Sequence, residues 1–170
     1  MDLGFDVVDL GSTDHPEEGD TAPEFTRPLV NSEYWEGVAL SDLLEDGPVV
    51  LVFHPMAGSF PATYVWKELP QREWGDCQVV GCSIATPYAH KRLIEERDLG
   101  GEYRLYSDPG NGVAEQFGIA HDLDGMEGVA EPRPAAFVVD TDRTIEYAWV
   151  ADEWPAFPDY DELEAAARDV

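Results

Sequence analysis

The fold of this chain is decided by residues 49–66, which read VVLVFHPMAGSFPATYVW. The run 49–53 holds only apolar, mostly β-branched residues, a pattern that favours a strand buried on both faces. The strand is expected to stop before Pro55. After a short loop, Ser59 is a suitable helix N-cap, and Pro61 suits a first helical turn because its missing N–H costs nothing there. The stretch therefore predicts a buried strand that leads into the N-terminus of a helix.

Further strands and helices alternate along the chain. The sequence predicts a strand and a helical turn over 38–44 with Ser41 as the cap, a helix over 63–73, a strand over 78–84, a helix over 88–98 begun by Thr86-Pro87, a strand over 103–106, a helix over 113–117, a hairpin of 136–140 and 144–150, and a helix over 160–169 capped by Asp159. Strand-helix-strand-helix order is typical of a parallel sheet with right-handed crossovers. We therefore expect one α/β domain.

The composition is strongly acidic, with 36 Asp and Glu against 10 Lys and Arg and a formal net charge of −26. Lys67 and Lys91 are the only lysines. This profile resembles salt-adapted proteins of haloarchaeal cytoplasm, because dense carboxylates stay hydrated in concentrated salt while their repulsion destabilises the fold in dilute salt. The charge argues against binding to nucleic acids or anionic membranes, which favour Lys and Arg.

Neither a membrane span nor a secretory signal is expected. No stretch approaches the roughly 20 apolar residues that a membrane helix needs. The acidic start, MDLGFD, is unlike the basic start of a signal peptide. We therefore expect a cytoplasmic protein.

The two cysteines, Cys77 and Cys82, fall in one predicted strand. Five residues of extended chain separate them by roughly 16 Å and place them on opposite faces, so they cannot form a disulfide within the chain. His15, His90 and His121 have no partner at metal-ligand spacing, and residues 121–125 lack the acids of an EF-hand, so a solvated loop is expected there. We expect no cofactor and no metal site.

Four motifs follow one another in a characteristic order: Gly19-x-x-Ala22-Pro23-x-Phe25, the buried strand ending at Pro55, Val80-Gly81-Cys82-Ser83 before a Pro-started helix, and Phe137-Val138-Val139-Asp140. In this order they resemble the peroxiredoxin family, the alkyl hydroperoxide reductase and thiol-specific antioxidant branch of the thioredoxin fold. The resemblance covers about residues 19–170 and leaves residues 1–18 as an acidic N-terminal arm. We expect this arm to be loosely attached, with a short edge strand over 5–10 as the alternative. It implies a thioredoxin-like fold of peroxiredoxin type, with a central mixed β-sheet flanked by helices, and thiol-dependent hydroperoxide reduction.

The family motif Pro-x-x-x-Thr/Ser-x-x-Cys matches this chain at Pro55 and Ser59, but Ala62 occupies the position of the peroxidatic cysteine. Peroxide reduction in the family needs a thiolate that attacks one peroxide oxygen and becomes a sulfenic acid. A methyl group can neither attack the oxygen nor form a sulfenic acid. Thr63 is no substitute, because its hydroxyl is far above neutral pKa and oxygen has no sulfenic state.

Other family positions differ as well. The family Arg, three residues before the Phe of its penultimate strand, corresponds to Pro134, and Arg133 lies one residue earlier. A Pro at this place resembles the cis-proline of thioredoxin-like oxidoreductases, which makes Pro134 a candidate for a cis peptide. The usual Tyr before the motif Pro is His54, and the Glu three residues after the cysteine is Val65. The site differs from the family pattern at several positions together. This favours natural loss of the family site over an engineered replacement of one cysteine at position 62.

Three features of the sequence have two interpretations each. Cys82 is either a relocated redox thiol near the carboxyl end of a central strand or a small buried hydrophobic residue. His54 is either a general base or ligand facing the vacated pocket, or a residue that fills the Tyr position. The aromatic, Pro-rich residues 154–158 are either core or a dimer or partner face.

Two functions therefore stand as hypotheses. The first is a peroxiredoxin-like protein with a degenerate site that binds a small molecule or a protein at the vacated pocket, with a homodimer as one form of partner. The second is a thiol-dependent peroxidase or antioxidant oxidoreductase that uses Cys82, which would need a low thiolate pKa and solvent access. The surroundings of Cys82 distinguish them.

Overall fold

The computed structural model describes residues 7–122 and 126–170. Within these ranges the strands are β1 Val8–Asp9, β2 Thr26–Val30, β3 Trp35–Ala39, β4 Val49–Phe53, β5 Gln78–Ser83, β6 Arg104–Ser107, β7 Ala120–His121, β8 Glu131–Pro132, β9 Ala135–Val139, β10 Ile145–Val150 and β11 Glu153–Trp154. The helices are α1 Leu40–Leu43, α2 Phe60–Glu68, α3 Pro87–Glu96, α4 Gly112–Gln116 and α5 Tyr160–Arg168, with 3-10 turns at Leu44–Asp46 and Leu69–Gln71.

A mixed sheet of seven strands, in the order β10-β9-β4-β5-β6-β2-β3, forms the centre of the molecule. Strands β4, β5 and β6 run parallel, and the pairs β4–β9, β9–β10, β2–β6 and β2–β3 are antiparallel. The strand of the opening stretch, β4, is therefore central and buried along its whole length. The predicted α/β fold with a mixed sheet is confirmed.

Each face of the sheet carries its own layer of helices, because successive side chains of a strand point to opposite faces. Leu51 and Phe53 lie in one core cluster, which also holds residues of α1 and α4. Val50 and Val52 lie in the other, with residues of α2, α3 and α5. The alternation decides which side chains of the central strands face the start of α2.

Three predicted helix caps are confirmed. Ser59 and Thr86 each accept a hydrogen bond from the amide three residues ahead, and Asp159 accepts from two amides of α5. The cap predicted at Ser41 is wrong. Helix α1 follows β3 directly, so Ala39 is the N-cap, while the Ser41 N–H donates to Glu24 Oε1 at 3.1 Å.

The N-terminal arm is attached more firmly over residues 8–11 than the sequence suggests. Strand β1 pairs with β11 in antiparallel fashion, and the Leu10 N–H donates to Asp152 O at 2.8 Å. The expectation of a loose arm is therefore wrong for these residues, because two strands that are distant in sequence, β1 and β11, pair here. Residues 1–6 of the predicted arm lie outside the described ranges.

The cis peptide expected at Pro134 is also wrong. Among the described residues the cis bond is Trp154–Pro155. The Arg133 N–H donates to Ile119 O at 2.8 Å, and Pro134 O accepts from the Ala151 N–H at 2.9 Å. The chain around Pro134 therefore bonds in extended, trans form to both neighbours.

No described helix could serve as a membrane span. The longest, α3, has ten residues, about half of the roughly 20 that the hydrocarbon core requires.

Candidate functional site

The loop between β4 and α2 is held by hydrogen bonds from a single serine. Ser59 Oγ donates to Met56 O at 2.7 Å and accepts from the Ala62 N–H at 3.4 Å. Thr63 Oγ1 in turn donates to Ser59 O at 3.2 Å. Pro55 is buried, and its carbonyl accepts from the Ile84 N–H of the neighbouring chain segment. The family-like loop is therefore well formed around Pro55 and Ser59.

The position at the start of α2 that faces the core is occupied by the methyl group of Ala62. Its exposed fraction is 0%, and it lies in the same cluster as Val65 and Trp66. A helix N-terminus stabilises a nearby thiolate through its dipole and free N–H groups. Here the side chain at that place offers no nucleophile and no hydrogen-bonding atom.

Arg133, the nearest match to the family Arg, binds the N-terminal arm. Its Nη2 donates to Leu10 O at 2.7 Å, and its Nη1 donates to Gly11 O at 2.9 Å and Ala151 O at 3.2 Å. Extended chain alternates faces, so a shift of one residue turns a side chain to the opposite face. The shift from position 134 to Arg133 thus explains why this guanidinium donates to carbonyl groups of the arm and of Ala151.

A buried polar network lies beside the loop, and the sequence did not reveal it. The Trp66 indole N–H donates to His54 Nε2 at 3.0 Å. His90 Nε2 lies 2.6 Å from Ser83 Oγ, and His90 Nδ1 lies 2.7 Å from Ser107 Oγ. The two imidazole rings approach each other with centroids 6.3 Å apart. The signal in the sequence that could have indicated this network is that Ser83 and Ser107 each end a strand, and these two strands are adjacent and parallel.

Both imidazoles of this network are held in the neutral form. Burial lowers the pKa of His54 to about 4. Burial, with a smaller contribution from His54, lowers the pKa of His90 to about 3. The indole can only donate, so His54 Nε2 is the acceptor and a neutral ring carries its proton on Nδ1. His54 is thus a buried partner of Trp66, which favours the interpretation that it fills the Tyr position.

A glycine makes this network possible. A Cβ atom built on Gly81 would lie 2.7 Å from Cζ2 of Trp66 and 3.4 Å from Nε2 of His54. The first distance is too short for a real Cβ atom, and the second is at the limit of ordinary van der Waals contact. A larger residue at position 81 would therefore displace the indole. Gly81 of the Val80-Gly81-Cys82-Ser83 motif therefore lets Trp66 pack against β5.

Cys82 lies on the other side of the sheet from Ala62. It is 1% exposed and belongs to the cluster that contains Leu51 and Val80. Burial raises the pKa of its thiol well above the ordinary value, Asp108 adds to the increase, and Arg27 opposes it. These surroundings are typical of a small buried hydrophobic residue. A redox thiol needs access to solvent and a low thiol pKa, and Cys82 has neither in this structure.

Cys77 lies immediately before β5. The prediction that both cysteines share one strand is therefore wrong for Cys77. Its Sγ donates to Ala167 O at 3.3 Å, and the thiol is half-buried. Burial, followed by the charge of Asp76, raises its pKa to about 11. Neither cysteine is therefore poised as a thiolate near neutral pH.

A groove of about 470 Å³ opens between the start of α2 and helix α3. Its volume falls within the range of about 300–1,000 Å³ typical of small-molecule sites. Gly58 and Thr63, which flank the Ser59-to-Ala62 turn, form one wall. The other residues that line it are Ala57, Thr86, Tyr88, Ala89, Arg92, Leu93, Glu96 and Arg97.

The structure also bears on three remaining features of the sequence. Within the described ranges, no three His, Cys, Asp or Glu side chains are grouped so that they could hold a metal ion. The acidic loop proposed at 121–125 lies partly outside those ranges. In the Pro-rich segment, Phe157 forms an aromatic cluster with Phe60 and Tyr64 of α2, with ring centroids 5.0–6.0 Å apart, so this segment packs partly against the core.

The central mixed sheet, the helices on both faces and the strand-loop-helix at Pro55 and Ser59 define a thioredoxin-like α/β protein. The model of the AhpC/TSA family matches residues 18–148. The chain therefore belongs to this family, that of the peroxiredoxins.

Individual relatives agree with this assignment. A Mycobacterium tuberculosis (strain H37Rv) protein named as a peroxiredoxin is 32% identical over 131 residues, which cover 75% of this chain and 80% of that protein. The chloroplastic 2-Cys peroxiredoxin BAS1 of Hordeum vulgare is 25% identical over 146 residues, covering 81% and 67%. The crystal structure of peroxidoxin BcpB from Mycobacterium tuberculosis superposes with a TM-score of 0.71 at 29% identity, covering 92% of this chain and 99% of that one.

Proposed function

We propose that this chain is a binding or regulatory member of the peroxiredoxin family that does not reduce peroxides through the family cysteine position. The observation that carries the proposal is the methyl group of Ala62 at the start of α2, where a thiolate would have to stand. A thiolate attacks one peroxide oxygen and becomes a sulfenic acid. A methyl group has no lone pair with which to attack.

Among the described residues, the hydroxyl next to Ala62 in the chain does not replace the thiolate. The Thr63 hydroxyl already donates to Ser59 O, and an alcohol lacks a sulfenic state. The Arg133 guanidinium, which would have to polarise a bound peroxide, donates to Leu10 O and Gly11 O instead. Both absences support a role other than peroxide reduction at this site.

The alternative enzyme would use Cys82. It would require a thiolate accessible to solvent, yet this thiol is 1% exposed and its pKa is raised by burial. A local opening of β5 would be needed before every turnover. The geometry thus supports a binding role better than catalysis by Cys82. The peroxide assay below therefore includes a Cys82 variant.

A binding role needs a surface that the family loop presents. The groove between α2 and α3 meets this need, because Gly58 and Thr63 of the same turn form one of its walls. A small molecule or a protein segment could reach it without disturbing the sheet. A homodimer and a cytoplasmic location form part of this proposal.

The experiment is peroxide consumption in high-salt buffer with excess dithiothreitol, followed by intact mass for oxygen added to cysteine. The wild type is compared with Cys82→Ser and with Cys77→Ser as the matched control. The expected result is that all three proteins consume peroxide at the rate of the reductant alone and show no mass change. Turnover above that background in the wild type, lost in Cys82→Ser and kept in Cys77→Ser, would overturn the proposal and establish a relocated thiol.

A further inference from the structure

The groove between α2 and α3 is unusual in its charge. The protein carries 36 acidic against 10 basic residues, yet two of its eight arginines, Arg92 and Arg97, line this single groove. Both are exposed. A positive region on a strongly negative surface attracts anions to that place.

Neither of these arginines has a carboxylate partner in the described ranges. Arg27, Arg72 and Arg143 all form ion pairs with Asp or Glu. Arg92 and Arg97 do not, although Glu96 is one helical turn from Arg92 and lines the same groove. In a chain so rich in carboxylates, two neighbouring unpaired guanidinium groups leave their donors available to a ligand.

The remaining lining suits a small molecule with an anionic group. A guanidinium presents its N–H groups in a planar fork that matches two oxygens of a phosphoryl or carboxylate group. Thr86 adds a hydroxyl at the rim, and the Tyr88 ring, 76% exposed, offers a flat apolar surface. Leu93 forms an apolar part of the wall. One acidic residue, Glu96, limits the anionic charge that the groove tolerates.

We propose that the groove lined by Arg92, Arg97, Thr86 and Tyr88 binds the oxyanion group of a small molecule, a phosphoryl or carboxylate group. This inference rests on the binding role proposed above and names the chemical class of its ligand. Gly58 has φ of +81° and no atom within 4 Å of a Cβ built on it, so the wall beside the family loop is open. A ligand held by the two arginines would lie against the turn that precedes Ala62.

The test is calorimetric titration of the full chain with inorganic pyrophosphate and, in a second arm, with citrate. Both arms use a constant KCl concentration at which the near-UV circular dichroism spectrum of the protein is that of the folded state. The double variant Arg92→Gln/Arg97→Gln is compared with Arg168→Gln, which removes one positive charge from an exposed arginine outside the groove. All these side chains are on the surface, so the variants are expected to fold, and the same spectrum verifies it.

We expect saturable binding of one molecule per chain, weakened at least about tenfold in the double variant and less than about twofold in Arg168→Gln. Tighter binding of pyrophosphate would identify a phosphoryl ligand, and tighter binding of citrate a carboxylate ligand. Amide chemical shifts of Gly58, Thr63 and Ala89 should move with the titration.

The proposal is overturned if neither anion saturates, or if Arg168→Gln weakens binding as much as the double variant does. Failure here would leave the peroxide assay unaffected. Conversely, peroxide turnover through Cys82 would overturn the non-peroxidase role without changing the titration.

Discussion

The indole N–H of Trp66 donates to Nε2 of His54 across 3.0 Å, inside a core where both side chains are almost fully buried. This bond joins helix α2 to the end of strand β4, the two elements that meet at the family loop. It satisfies the only donor of the indole and fixes the tautomer of the imidazole.

Replacing Trp66 with Phe should destabilise the protein by about 1–3 kcal/mol, because His54 Nε2 would lose its donor in a buried place. The measurement is the free energy of unfolding from urea titration at constant KCl. Trp35→Phe is the matched control, since Trp35 is half-buried in β3 and has an aromatic contact with Tyr88. Within the described ranges its N–H has no hydrogen-bond partner. Equal losses in the two variants would contradict this assignment.

Stability should fall as the pH is lowered from about 6.5 towards 4, because His54 and His90 remain neutral in the folded state at pH values where unfolded histidine binds a proton. Burial lowers the folded pKa values to about 4 and about 3, against an unfolded value near 6.5. The unfolded state then binds more protons, so the free energy of unfolding decreases with falling pH, by about 1 kcal/mol per histidine between pH 7 and 5.5.

Urea titrations at several pH values in this window check the slope. His54→Gln should remove about half of it, because one of the two buried imidazoles is gone. A slope that is unchanged in this variant would show that other groups cause the pH dependence.

Arg133→Gln should release the N-terminal arm without unfolding the domain. The guanidinium donates to Leu10 O, Gly11 O and Ala151 O, and the shorter amide cannot reach all three. We expect the Leu10 amide to exchange its hydrogen at least about tenfold faster, which corresponds to a loss of roughly 1.4 kcal/mol in local opening free energy.

The control for this variant is Arg143→Gln, which removes a partly exposed guanidinium that pairs with Glu24 and not with residues 8–11. Hydrogen exchange followed by mass spectrometry or NMR compares the two. The arm assignment fails if both variants change the Leu10 amide equally.

The melting temperature should rise steadily between about 0.1 M and 2 M KCl, where the Debye length falls from about 10 Å to below about 3 Å. The reason is the net charge of −26, whose self-repulsion weakens the folded state when it is unscreened. Partial unfolding is expected at the low end. Calorimetric scans across this series measure it, and a melting temperature that does not change would remove the idea of salt adaptation.

Local features were predicted well because they depend on neighbours in the chain. The five apolar residues 49–53 form the central strand, and Ser59, Thr86 and Asp159 cap the helices that follow them. Errors occurred where distant segments compete. Ser41 lost its predicted capping role because β3 continues directly into α1, a connection that depends on how β3 pairs in the sheet.

The functional surroundings of single residues were harder to predict. His90 looked isolated in the sequence, yet the structure places it between Ser83 and Ser107, which are 7 and 17 positions away. Cys82 has two interpretations in the sequence, and its burial on the face of the sheet opposite Ala62 favours that of a small hydrophobic residue. Arg133 was predicted at the family site, but its contacts are with residues about 120 positions away in the arm.

The sequence by itself determined the central strand, the main helices, the alanine at position 62 and the acidic composition, because side-chain chemistry and period-two alternation are properties of the chain. Only the tertiary structure decided where Arg133 points, what His54 and His90 meet, and that Arg92 and Arg97 share a groove with the turn before Ala62. These relationships join residues far apart in sequence, and they exist only once the parallel strands have brought α2 and α3 to the same face of the sheet.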